Sequence, residues 1–171
     1  MFLKLNPAEQ QVLFEISRAL YIVDAQWLYD LINFESGWDP QAKNPVSSAR
    51  GLIQFIDSTA RSLGATDSTT LVRLYPDRIS QLQGPVYQYL SQYAPFLTKQ
   101  SLAMSVFYPA YRNVDPDTAF PDSVTRVNPG IATPRNYTDM VFGIRKEVPL
   151  IMIGGLIAGL AYVFFSLTTK G

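Results

Sequence analysis

Glu35 is the residue through which this chain could do acid–base chemistry. It is followed at once by Ser36-Gly37-Trp38, and after a short polar stretch by Gly51-Leu52-Ile53-Gln54-Phe55 and Thr59-Ala60. The sequence contains neither His nor Cys. That removes Ser-His-Asp triads, Cys-His pairs, disulfides and zinc sites built on imidazole or thiolate. Proton transfer is left to Asp, Glu, Lys and Tyr. A Glu held in apolar surroundings keeps its proton near neutrality and can deliver it to a leaving oxygen. Trp27 and Phe34 could supply those surroundings. A Glu at a helix end is as readily a solvated surface residue, so position alone leaves both readings open.

The elements that must hold Glu35 are helices. Asn6-Pro7-Ala8-Glu9 reads as a capped helix start, and Val12, Leu13, Ile16, Leu20 and Val23 follow at helical spacing. Asp24 is expected to cap a second helix from Ala25 to about Ser36. Its apolar positions Trp27, Leu28, Leu31, Ile32 and Phe34 leave Glu35 at the C-terminal end, and Gly37 stops it. Asp39-Pro40 opens a polar loop that runs to Arg50. Asp57 is expected to cap a short helix from Ser58 to Leu63, with Gly64 as its stop. Leu82, Val86, Tyr89, Leu90 and Tyr93 form a further helical stripe, and Leu102, Ala103 and Val106 predict a helix after Thr98. Thr133-Pro134 starts a last helix with Tyr137, Met140, Val141 and Ile144 on one face. The segment Tyr111 to Pro129 reads as an ordered surface loop. No strand alternation stands out, although a small two- or three-stranded element near the loop stays open. The fold class expected is mainly α.

Composition bounds the rest. A length of 171 residues suggests one domain. The 14 basic and 14 acidic residues cancel, so no basic field exists to attract nucleic acid. The first residues do not read as a secretory signal. Val148 to Leu167 is an uncharged run of 20 residues, flanked by Arg145, Lys146 and Glu147 on one side and Lys170 on the other. As a helix it is long enough to cross a bilayer, so one C-terminal transmembrane helix is expected. The division is then a domain over 1–146 and an anchor over 147–171.

Glu35-Ser36 and the segment Ala49-Arg50-Gly51-Leu52-Ile53-Gln54-Phe55, continued by Ser58-Thr59-Ala60, resemble the catalytic core of lytic transglycosylases and goose-type lysozymes. Phe107-Tyr108-Pro109-Ala110 sits where many of those proteins have Ala-Tyr-Asn-Ala-Gly, and resembles a variant seen in phage enzymes. Asn136-Tyr137-Thr138-Asp139-Met140-Val141 sits where the family has a Tyr-Val pair on a late helix. The resemblance covers about Asp30 to Val141. It implies a lysozyme-like helical domain with a groove for peptidoglycan glycan strands. Glu35 would be general acid and then general base. Ser36 would position the substrate or the Glu, and Gln54 would contact an N-acetyl group or the Glu. Tyr108 and Tyr137 would line the site. Pro109 replaces the family's Asn after Tyr108, so the contact that Asn makes in relatives is not carried over.

A second carboxylate would separate hydrolysis from the alternative. Asp39 and Asp57 are nearest downstream of Glu35, and both have structural explanations, as a turn residue and as a helix cap. With one convincing carboxyl group, the expected reaction is cleavage of the MurNAc-GlcNAc β-1,4 bond with a 1,6-anhydro product, needing no metal or organic cofactor. The competing expectations are a goose-type lysozyme hydrolase and a catalytically inactive, membrane-held structural or wall-binding protein. A third is a lysis protein acting through its C-terminal helix, where Gly155 and Gly159 form a helix-packing pattern. Two basic residues precede the apolar run and one follows it, a weak bias towards a cytoplasmic domain. A phage whose virion contains a membrane would reconcile that side with a wall substrate. The partners expected are therefore glycan strands, lipid through Val148–Leu167 and virion proteins.

Overall fold

The structure is a computed structural model and describes residues 2–143. Its helices are α1 (Pro7–Ala19), α2 (Ala25–Ser36), α3 (Asp57–Ser62), α4 (Ser68–Leu74) and α5 (Arg78–Gln81), then a π turn over Leu82–Val86. They continue as α6 (Tyr87–Ser91), α7 (Lys99–Phe107), a 3-10 turn over Pro109–Tyr111, α8 (Asp122–Thr125) and α9 (Pro134–Val141).

The helix starts follow from capping. The Asn6 side chain accepts from Glu9 N–H while the Glu9 carboxylate accepts from Asn6 N–H. Asp24 accepts from Gln26 N–H at the head of α2, and Gly37 ends that helix in the left-handed region at φ 62°. Thr98 and Ser101 make a reciprocal cap at the head of α7, and Thr133 caps α9. α2 is the central strut. Leu28, Leu31 and Ile32 have no exposed surface, and the helix packs against α1, α7 and α9. Each such side chain contributes about 2 kcal/mol by leaving water.

Several details differ from the sequence expectation. Asp57 is the first residue of α3, not its cap. The cap position belongs to Ile56, whose side chain has no hydrogen-bond acceptor to offer. The Asp57 carboxylate reaches forward instead and accepts from the N–H and hydroxyl of Ser68, at the head of α4. The helical stripe from Leu82 to Tyr93 is real but interrupted. Gly84 leaves helical backbone angles ahead of Pro85, and the turn widens to a π turn. The proline-rich segment from Tyr111 to Pro129 is ordered, as expected, but includes α8, with Phe120, Val124 and Asn128 buried. The open question of a small sheet resolves to two antiparallel bridges, Lys43 with Arg50 and Arg50 with Phe55. The expected anchor, Val148 to Leu167, and the boundary at 146 lie outside the described residues. Among the described residues no helix is long and apolar enough to cross a membrane.

Candidate active site

α2 carries Glu35 into the protein in its last turn. The side chain is 7 % exposed. It faces α9, where the Tyr137 hydroxyl donates to Glu35 Oε1 at 2.5 Å. Tyr137 itself has no exposed surface. Its ring stacks on Phe107 of α7, with centroids 4.3 Å apart, and meets the edge of Phe34 at 5.7 Å. Three helices therefore enclose one carboxyl group in aromatic walls.

Burial raises the Glu35 carboxyl from its ordinary 4.5 to about 7, against the opposing pull of the Tyr137 hydrogen bond. The cost of holding a charge away from water exceeds what one donated hydrogen bond returns. Glu35 can therefore be protonated at neutral pH. With Oε1 accepting from Tyr137, Oε2 is the oxygen left to carry the proton. The Tyr137 phenol moves well above its usual range, first by burial and then by the Glu35 charge, so it stays a donor.

A cleft of about 270 Å³ lies beside this pair, between α3, α6 and α7. Tyr89, Tyr93, Phe107 and Tyr108 form its aromatic wall, and Ser58 and Ser62 bring hydroxyls to it. Glu35 does not line the cleft itself. Phe107 is the shared wall, with Tyr137 stacked on its ring. Tyr89 also reports the proximity: its phenol is pushed well above the usual range by burial first, then by Tyr93, with the Glu35 charge adding to it. A second cleft, of about 460 Å³, opens at the other end of α2 between Phe14, Arg18 and Asp24. It contains none of the motif residues, and chemistry rather than size selects the first.

The residues expected from sequence are distributed unevenly. Glu35 and Tyr137 meet, although 102 positions separate them. Tyr108 is buried in the cleft wall, against Tyr111 at 4.9 Å and Phe120 at 5.8 Å. The Ser36 hydroxyl donates to the Ile32 carbonyl at 3.1 Å, one helical turn back. Gln54 sits in a left-handed conformation at φ 54°, and its amide donates to the Gly51 carbonyl at 3.0 Å. Trp27 is half-buried at the core edge; Phe34 and Phe107 are the rings that touch Tyr137. Phe107 and Tyr89 were not singled out as site residues in the sequence. Their signal was there, in the apolar stripe of α6 and the position before Tyr108.

Two nearby carboxylates are committed elsewhere. Asp39 accepts from Gln41 N–H in a turn, and Asp57 is bound to Ser68. No cluster of three acidic side chains that could hold a metal occurs among the described residues.

Residues 13–83 match a family model described as Transglycosylase SLT domain. The match contains Glu35, Ser36 and Gly51 to Gln54 and stops before Tyr108 and Tyr137. It makes this part of the chain similar to lytic-transglycosylase domains of the lysozyme-like class, and it supports an activity of the peptidoglycan-degrading type. No curated protein and no solved structure matches the chain.

Proposed function

We propose that the protein is a peptidoglycan lytic transglycosylase in which Glu35 is the single catalytic carboxyl group. The observation that carries this reading is the burial of Glu35 among aromatic rings, which raises its carboxyl to about 7 against the pull of the Tyr137 hydrogen bond, so that it can be protonated at neutral pH. Glu35 Oε2 donates its proton to the oxygen of the MurNAc-GlcNAc bond as that bond to the muramyl C1 breaks. The 2-acetamido group stabilises the cationic centre. The Glu35 carboxylate then takes the proton from the muramyl 6-hydroxyl as its oxygen bonds to C1. The product is a 1,6-anhydro end, and Glu35 is again protonated. No water enters the balance and no second carboxylate is required. The commitments of Asp39 and Asp57 favour this route over hydrolysis.

Tyr137 acts by orientation. By donating to Oε1 it fixes which oxygen delivers the proton. The aromatic cleft beside it offers faces against which sugar rings pack, and Ser36 and Gln54 lie on the two segments that carry the motif.

Mass spectrometry of muropeptides released from purified sacculi tests the reaction. Anhydro ends are expected; reducing muramic ends alone would assign the goose-type hydrolase instead, and no release at all would leave a wall-binding protein. We further propose that Val148–Leu167 anchors the domain in a membrane and that the setting is a membrane-containing virion. The support is the uncharged length of that segment and its flanking Arg145, Lys146 and Lys170. Flotation with lipid of the full chain but not of a chain ending at Lys146 is the expected result. Recovery of the protein in purified particles checks the setting.

A further inference from the structure

Gln81 has no exposed surface, yet its whole side-chain amide is engaged. Oε1 accepts the Leu52 N–H at 2.9 Å. Nε2 donates to the carbonyls of Pro40 at 2.6 Å and Tyr75 at 3.0 Å. One amide thereby joins the loop after α2, the Gly51–Gln54 turn and the end of α4. The fit around it is close. A Cβ on Gly51 would lie 2.7 Å from Gln81 Oε1 and 3.1 Å from Val72, and Gly51 has φ +78°. On the other side the Tyr75 ring lies where a Cβ on Gly84 would stand, 2.5 Å from Cε1. The π turn that begins at the next residue therefore packs its glycine against the residue whose carbonyl Gln81 holds.

The consequence reaches Gln54. Its amide is bound to the Gly51 carbonyl, and its left-handed backbone is the far end of the same turn. Gly51 is placed by Gln81, and Gln54 is placed by Gly51. We infer that Gln81 is a positioning residue for glycan cleavage, which sets the turn from which Gln54 meets the N-acetylated sugar. This rests on the transglycosylase reading for what Gln54 touches. It adds a residue 27 positions downstream that touches neither the acid nor the cleft lining.

The experiment uses the full chain in detergent, with Gln54→Ala, Gln81→Met and the double variant assayed on soluble glycan strands. Misplacing a binding group costs about as much as removing it, so each single change is expected to lower kcat/KM about tenfold. The double variant is expected to fall about tenfold as well, because both changes remove one contact. A double loss of about a hundredfold, or a Gln81→Met enzyme at the wild-type kcat/KM, would overturn the proposal. A merely structural Gln81 would lower thermal stability and leave the two changes independent. Should Gln81→Met not fold, Gln81→Glu is isosteric and, when protonated, can still accept from Leu52 and donate to Pro40. Its activity relative to wild type is expected to rise as pH falls, and a flat ratio would count against the clamp. Amide NMR signals of Gln54 without substrate separate the two claims. They are expected to move in Gln81→Met; unmoved signals reject the positioning role whether or not glycan is cleaved. A wild-type chain that cleaves nothing sinks the functional reading and leaves the NMR result to decide on Gln81.

Discussion

The two ends of α2 treat a carboxylate in opposite ways. At the start, Asp24 is exposed and accepts from Gln26 N–H at 2.8 Å, an arrangement that satisfies an orphan donor and suits the positive end of the helix. Asp67 and Asp77 repeat it at the heads of α4 and α5, and there the backbone N–H groups of Thr70 and Ser80 hold each carboxyl below its usual range. At the end of α2, Glu35 stands buried where the helix carbonyls accumulate negative charge, with one hydroxyl as the partner that opposes its burial. The caps follow every local rule; Glu35 breaks two, burial of an acid and its place at a helix C-terminus. A helix that begins by satisfying a charge and ends by penalising one has been shaped at its end for something other than stability.

Three substitutions break or sharpen that contrast. Glu35→Gln removes the proton donor and keeps the shape, so peptidoglycan turnover is expected to fall by a hundredfold or more, as general-acid catalysis contributes on that order. Turnover near wild type would dismiss Glu35 as the acid.

The same substitution should stabilise the fold at neutral and alkaline pH. The folded-state pKa of about 7 lies above the ordinary 4.5, so the group's contribution to stability is complete below about 4.5 and is lost as pH rises through about 7. The full loss corresponds to about 3 kcal/mol. Thermal melts of the two proteins should coincide near pH 4 and separate above pH 7, with Glu35→Gln melting higher; coincidence at pH 8 would contradict the burial penalty.

Tyr137→Phe tests the partner. Its hydrogen bond favours the charged carboxyl, so its removal should raise the Glu35 pKa further. Wild-type kcat/KM should decline as pH rises past about 7, because the acid must be protonated. In the variant that decline should begin at higher pH, with the plateau lowered about tenfold by the lost orientation. An unmoved alkaline limb would separate Tyr137 from the acid.

The smallest effect belongs to the other end. Asp24→Ala should cost about 1 kcal/mol in denaturant unfolding through loss of the cap, with kcat/KM unchanged. A large activity loss there would mean that the two ends of α2 are coupled.

Asp24 and Glu35 were both legible in the sequence, for different reasons. Asp24, Asn6, Thr98 and Thr133 announced their helices because a cap is a local interaction, written within three or four residues. α4 and α5 carried the same signal in Asp67 and Asp77, but seven and four residues give no stripe to confirm it. Glu35 gained its meaning from a resemblance, and its environment from Tyr137, 102 positions away. Gln81 had no signal of its own. It stood among polar residues in a mixed helix, and only the folded chain brings Leu52, Pro40 and Tyr75 to its three hydrogen bonds. Asp57 shows the limit of local reading, since a residue of capping type leaves its own helix uncapped and binds Ser68 at the head of the next one.

The distance between Glu35 and Tyr137 also sets a clock. At translation rates of about 5–20 residues per second, roughly 5–20 seconds separate the synthesis of the two. Until α9 emerges and docks, Glu35 lacks the ring that encloses it and the hydroxyl that orients it. The ribosome thus releases an acid before its environment, and the nascent chain has no poised proton donor until nearly all of the described domain has been made.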